Sequence, residues 1–150
     1  MERYSQWRTQ ARNEVKNKWI KALKSGEYKQ GRSELRSSDD RFCCLGVLCD
    51  LYSREKSIDW IREEYYNDDD DDIPSGLGSY SFLRADSFLP DEVAKWGDLE
   101  DNPNIDITEA FIQKYNLKTS DYHKDGDRLY TYLATLNDSG LKFSYIADII

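Results

Sequence analysis

The stretch FCCLGVLCDLYSR occupies residues 42–54. Phe42, Cys43, Cys44, Leu45, Val47, Leu48 and Leu51 make its first turns apolar nearly all round, which predicts a buried central helix. Ser37, Ser38, Asp39 and Asp40 stand just before it and are residue types that cap helices. Gly46 lies in its interior, where glycine costs about 1 kcal/mol relative to alanine; a close approach by another element would explain it. Asp50 is the one acid of the stretch. It is expected at the helix exit, facing water, in preference to a buried position beside a cation.

Working outward, residues 4–25 read as a helix. Trp7, Ala11, Val15, Trp19, Ala22 and Leu23 recur at three- and four-residue spacing, and Gly26 supplies a stop. Residues 27–41 are polar and form either two short strand-like pieces around Gly31 or an ordered loop. On the other side, Ile58, Trp60 and Arg62 mark a strand and Tyr80 with Phe82 a second. The acidic run at 67–76 joins them in a long hairpin, as a solvated, mobile loop. Pro90 with Asp91 and Glu92 opens a short helix that Gly97 ends. Ile105–Ile107 alternates, Thr108 caps a helix to Leu117, and 118–127 is polar loop. Residues 128–136 are expected to be helical, and Ser144 to cap a last helix. The expectation is an α+β fold: one compact domain over 1–150, with several helices around a buried central helix and a small antiparallel sheet or hairpin.

Composition limits what such a domain does. Hydrophobic residues at 39% and aromatics at 13% suffice for a packed core. A net charge of −8 disfavours DNA or RNA as a partner, because phosphate binding needs clustered cations. The 21 basic residues are interspersed with 29 acidic ones, which dilutes the field a DNA mimic needs. The N-terminus lacks the apolar run of a signal peptide and no segment has the length of a membrane span. Three cysteines close together make a poor disulfide framework. A cytoplasmic protein without a membrane partner is therefore expected, in the host cytosol if phage-encoded.

Few residues spell out chemistry. Cys43 or Cys44 at a helix start would gain nucleophilicity from the dipole, with His123, the sole histidine, as base. Alternation with leucine, valine and phenylalanine instead marks these thiols as core, and nothing ties His123 to them. C-C-x4-C with one histidine does not make a zinc site. The Asp68–Asp72 run lacks the spacing of a calcium loop, and no phosphate-cradling glycine loop is present. No metal or cofactor is expected. Tyr28, Lys29, Gln30, Arg32, Arg36 and Arg41 bring an aromatic, an amide and four cations into one short span. Such a set suits a nucleotide, the aromatic stacking the base and the cations holding phosphate. The ending LNDSGLKFSYIADII has the look of a helix-turn-helix opening, but the stretch leaves no room for a recognition helix.

Three segments together carry a resemblance: WIKALKSGEYKQGRSELR at 19–36, FCCLGVLCDLY at 42–52, and Leu89–Pro90 with Trp96–Gly97 and the ending LATLNDSGLKFSYIADII. They resemble a family of small, largely uncharacterised phage and bacterial proteins. Residues 104–127 and the aspartate run depart from that pattern, so His123 has no counterpart in it. The resemblance transfers no catalytic residue. It implies a phage-type accessory protein that counters host defence, one way being to sequester a nucleotide second messenger uncleaved.

The function expected from sequence and resemblance together is an anti-defence protein that binds a nucleotide-derived signal without catalysis, with a homo-oligomer sharing its pockets as one arrangement. Two alternatives stand beside it. One is a hydrolase of a nucleotide or amide using a cysteine or a carboxylate such as Asp50. The other is an acidic inhibitor that engages a basic protein through the aspartate run.

Overall fold

A computed structural model describes the backbone of residues 2–67 and 70–150 and the side chains of 13–62 and 78–150. In chain order the elements are α1 (Glu2–Lys24), β1 (Lys29–Gln30), β2 (Arg41–Phe42), α2 (Cys44–Lys56), β3 (Ile61–Asn67), β4 (Asp70–Ser81), α3 (Asp91–Gly97), β5 (Asn104–Asp106), α4 (Glu109–Lys114), a 3-10 turn at Thr119–Asp121, β6 (His123–Asp125), β7 (Arg128–Tyr132), α5 (Leu133–Asp138) and α6 (Phe143–Ile149). This is an α+β domain, about 44% helix and 20% strand.

The central helix is α2. Every residue from Cys44 to Asp50 is buried, and α1, α3 and α5 pack around it. Among the described side chains Val15, Trp19 and Leu23 form the buried stripe of α1, the i, i+4, i+8 pattern of an amphipathic helix; the side chains of Trp7 and Ala11 lie outside the described residues. Trp19 also donates its indole N–H to the Cys44 carbonyl at 2.9 Å. Past the end of α1, Gly26 adopts φ +76°, the left-handed geometry that lets the chain leave a helix.

Gly46 has the close neighbour its position called for. A Cβ built there would lie 1.7 Å from the Leu35 carbonyl oxygen, because the 31–40 loop crosses α2 in direct backbone contact. Leu35 is itself fully buried, so the loop is clamped to the helix it crosses.

Several local expectations are corrected. The cap of α2 is Cys43, whose Sγ accepts from the Gly46 N–H at 3.4 Å, and not the Ser37–Asp40 segment. Those residues form a turn instead, with Asp40 at φ 61° and its N–H on the Ser37 carbonyl at 3.0 Å. The turn delivers Phe42 to β2, which lies parallel to β1 with Lys29 opposite Arg41 and Gln30 opposite Phe42. Ile58 and Trp60 precede β3 rather than belonging to it. The β3–β4 ladder runs from Ile61↔Ser81 to Asn67↔Asp70, so residues 70–76 are strand where a loop was expected. Asp68 and Asp69 lie outside the described residues.

Residues 128–132 are strand, not helix. The leucines of RLYTYLATL fall at helical spacing, but Tyr130, Thr131 and Tyr132 are strand formers. Thr131 is wholly buried and its hydroxyl donates to the Asp121 carbonyl at 2.6 Å. β7 is thereby the centre of a three-stranded antiparallel sheet ordered β5-β7-β6, and the 118–127 loop supplies the 3-10 turn and β6. Ser144 sits inside α6, whose N-cap position is Lys142 with no capping side chain of its own. Thr108 does cap α4, accepting from the Phe111 N–H at 3.1 Å.

Candidate functional site

The six residues singled out in the 28–41 stretch divide into structural and exposed groups. Gln30 is structural. Its Nε2 donates to Asn137 Oδ1 at 2.9 Å and to the Leu141 carbonyl at 2.7 Å, and its Oε1 accepts the Phe143 N–H at 3.0 Å. It therefore caps α6 from across the molecule, which is why that helix needs no local cap. Asn137, fully buried, accepts the Cys44 N–H at 3.2 Å and donates to the Gly31 carbonyl at 2.8 Å. Gln30 is spent on this knot, and a ligand would have to break it.

Tyr28 is likewise committed. Its hydroxyl donates to Asp50 Oδ2 at 2.6 Å, and burial together with that carboxylate pushes the phenol well above its ordinary range. Trp60 donates its indole N–H to Asp50 Oδ1 at 3.1 Å, and Arg54 approaches the same carboxylate at 3.1 Å. Asp50, only 8% exposed, does not face water from the helix exit as expected. A buried carboxylate needs its lone pairs satisfied, and three donors do so.

Of the remaining four, Lys29, Arg32 and Arg41 are exposed, while Arg36 is half-buried. Lys29 and Arg41 are both exposed and are register partners across β1 and β2, so two cations project from neighbouring positions. Gly31 brings the strands this close: a Cβ there would lie 2.8 Å from Arg41 Cβ. Asp39 pairs with Arg41 at 3.0 Å, while Lys29 makes no ion pair with a described residue. Arg36 pairs with Asp40 at 2.8 Å and lies 3.8 Å from the centre of the Tyr80 ring, with Arg62 near that ring at 5.0 Å. Behind them an edge-to-face chain runs from Tyr28 to Phe42 at 5.1 Å, Phe42 to Trp60 at 6.0 Å and Trp60 to Tyr80 at 6.4 Å. Arg32 is exposed near Gly140 and stands apart from this group. In the sequence Arg62 and Tyr80 carry only a strand signal; their part in the cluster depends on the β3–β4 pairing that sets Arg62 opposite Tyr80.

The thiols and the imidazole are not assembled into a nucleophilic pair. Cys43, Cys44 and Cys49 are buried and free. Burial pushes the Cys43 thiol up to about 11 and raises Cys44 and Cys49 well above the ordinary thiol range. A thiol so placed stays protonated at neutral pH and is a poor nucleophile. Cys43 touches a cavity of about 300 Å³ with Ser33, Ser87, Phe88, Ala134 and Asp138, none of which is a base of the imidazole type. His123 is exposed on β6, stacked on Tyr130 at 5.1 Å and edge-on to Tyr132 at 5.6 Å. Among the described residues no group of three or more histidine, cysteine or acidic side chains is placed to hold a metal ion. None of the described helices is long and apolar enough to cross a membrane.

A family model described as a domain of unknown function (DUF8296) matches residues 11–150. No curated protein and no solved structure matches the chain.

Proposed function

We propose the following for a chain that belongs to the DUF8296 family: it binds a nucleotide-derived anion at the surface formed by β1, β2 and the Arg36–Tyr80 cluster, and holds it without transforming it. The observation that carries this reading is the register of Lys29 with Arg41. Like charges opposite one another on neighbouring strands repel, and Asp39 offsets only one of them. A phosphate between the two would relieve that repulsion through charge-assisted hydrogen bonds. Tyr80 and Trp60, both half-buried, supply aromatic surface for a base beside the cations. The buried, protonated thiols support binding over hydrolysis. The resemblance to small phage proteins supplies the context: a phage-type accessory protein that withdraws a defence signal from the host cytosol.

Titration calorimetry against cyclic oligonucleotides and ADP-ribose derivatives tests the reading. The expected result is at least one ligand bound at about micromolar affinity or tighter, weakened at least about tenfold by Lys29→Glu with Arg41→Glu, and recovered chemically intact after denaturation. Absence of binding across the panel removes the proposal. A ligand recovered cleaved replaces sequestration with catalysis.

A further inference from the structure

A second concavity lies on another part of the molecule, where α1 meets α6 and the α3–β5 connection. It encloses about 310 Å³, the small end of the roughly 300–1,000 Å³ typical of ligand pockets. Trp19, Leu99, Ile105, Leu133 and Ile149 line it with apolar surface. Two of these walls are fixed in place. The Trp19 indole N–H is held by the Cys44 carbonyl at 2.9 Å, and the Leu133 N–H by the Pro103 carbonyl at 3.0 Å.

The polar groups of the lining are not equivalent. Asn104 is occupied: its Nδ2 donates to Glu100 at 3.1 Å and its Oδ1 accepts from Arg128 at 3.0 Å. Asp98 is already engaged in an interaction of its own. Lys16 and Asn13 line the cavity from α1, three residues apart and so on one helix face. Neither makes a hydrogen bond or ion pair with a described residue. A chamber with several apolar walls, and an ammonium group and an amide that no described residue engages, is complementary to a molecule that is greasy at one end and negative at the other.

We propose that this cavity binds a small amphipathic anion, with a ring or short aliphatic body against Trp19, Leu99, Ile105 and Leu133 and a carboxylate, sulfonate or phosphate group on Lys16 and Asn13. The Lys29–Arg41 ladder contributes no residue to the lining, so this site and the one proposed above stand or fall separately.

Two fluorescent probes decide it: 1-anilinonaphthalene-8-sulfonate, and its uncharged parent N-phenyl-1-naphthylamine. The sulfonate is expected to bind saturably at one site and to shift the methyl resonances of Leu99, Ile105 and Ile149 in a methyl-resolved NMR titration. Lys16→Glu should weaken the sulfonate by about fivefold or more while leaving the uncharged probe unchanged. Ile105→Trp, which fills the chamber, should weaken both. Lys16 is exposed, so its replacement keeps the test decisive even where Ile105→Trp does not fold. Absence of saturable sulfonate binding, or binding that moves other methyls, overturns the site. Equal response of the two probes to Lys16→Glu overturns the anionic part of the assignment.

Discussion

Gln30 and Asn137 share a hydrogen bond of 2.9 Å across 107 positions of sequence, and each amide caps the helix that follows the other. Asn137 takes the first N–H of α2, the helix after β2, and Gln30 takes the first N–H of α6, the helix after α5. The three segments that carry the family resemblance, the YKQG stretch, the FCCLG block and the LND ending, therefore meet at one point. Their shared role is to join the two ends of the fold.

Asn137→Ala should be strongly destabilising. It removes an acceptor for the Cys44 N–H and a donor for the Gly31 carbonyl inside a fully buried site, and orphaned buried groups cost about 1–3 kcal/mol each. A loss of about 3 kcal/mol is expected from urea unfolding, with Gln30→Ala costing about 1–2 kcal/mol as a lost cap. Lys29→Glu, at an exposed position, should leave the urea midpoint nearly unchanged. If Gln30→Ala left stability intact but abolished ligand binding, the structural assignment of Gln30 would be wrong.

Gly46→Ala and Gly26→Ala should differ sharply. At Gly46 the new methyl meets the Leu35 carbonyl oxygen at 1.7 Å, and neither the loop nor the helix can yield without exposing buried Leu35. The expected cost is above about 3 kcal/mol, enough to give insoluble protein, despite the better helix propensity of alanine. At Gly26 nothing lies within 4 Å and the only penalty is φ +76°, about 1 kcal/mol. Soluble yield and thermal melts of the pair measure the contrast.

Some of this was legible in sequence and some was not, for identifiable reasons. The FCCLGVLCD helix, the Val15–Trp19–Leu23 part of the α1 stripe and the close approach at Gly46 follow from apolar periodicity and from a glycine out of place, which are local signals. RLYTYLATL misled because its leucines keep a helical spacing while its tyrosines and threonine keep a strand's; pairing with β5 and β6 decided between them. The cationic, aromatic character of 28–41 was visible, but not which side chains are free. Gln30 is consumed by a partner at position 137 and Tyr28 by Asp50, and neither partner has a local signature. The burial of Asp50 has no local signal because its donors, Tyr28 and Trp60, come from segments on either side of α2. The α1–α6 cavity has no sequence signature, since its walls come from both ends of the chain.

Asp50→Ala should cost about 2–4 kcal/mol, since it leaves the Tyr28 hydroxyl and the Trp60 indole N–H without their acceptor in a half-buried setting. Asp50→Asn keeps one carbonyl oxygen and should recover part of that loss. Chemical denaturation of the two variants gives the ordering. Its reversal would mean that Asp50 is strained in the fold and held for another purpose.

Stability should fall on the alkaline side of neutrality, and the sign follows from the thiols. Burial raises the Cys43 thiol above its ordinary value to about 11 and moves Cys44 and Cys49 the same way. The folded state then holds these protons at pH values where the unfolded chain has released them. With more protons bound in the native state, unfolding free energy declines as pH rises. The contribution is complete below about pH 9 and is lost progressively as pH approaches and passes 11. Urea midpoints at pH 7, 9 and 10.5 should therefore decrease in that order, and Cys49→Ala should flatten the decline relative to its own value at pH 7. Thiol-disulfide exchange at pH 8 supplies the kinetic counterpart: the three thiols should react slowly in native protein and at once in urea. A thiol that reacts rapidly in the native state would be open to solvent and ionised, and the cysteine-hydrolase alternative would then outrank binding.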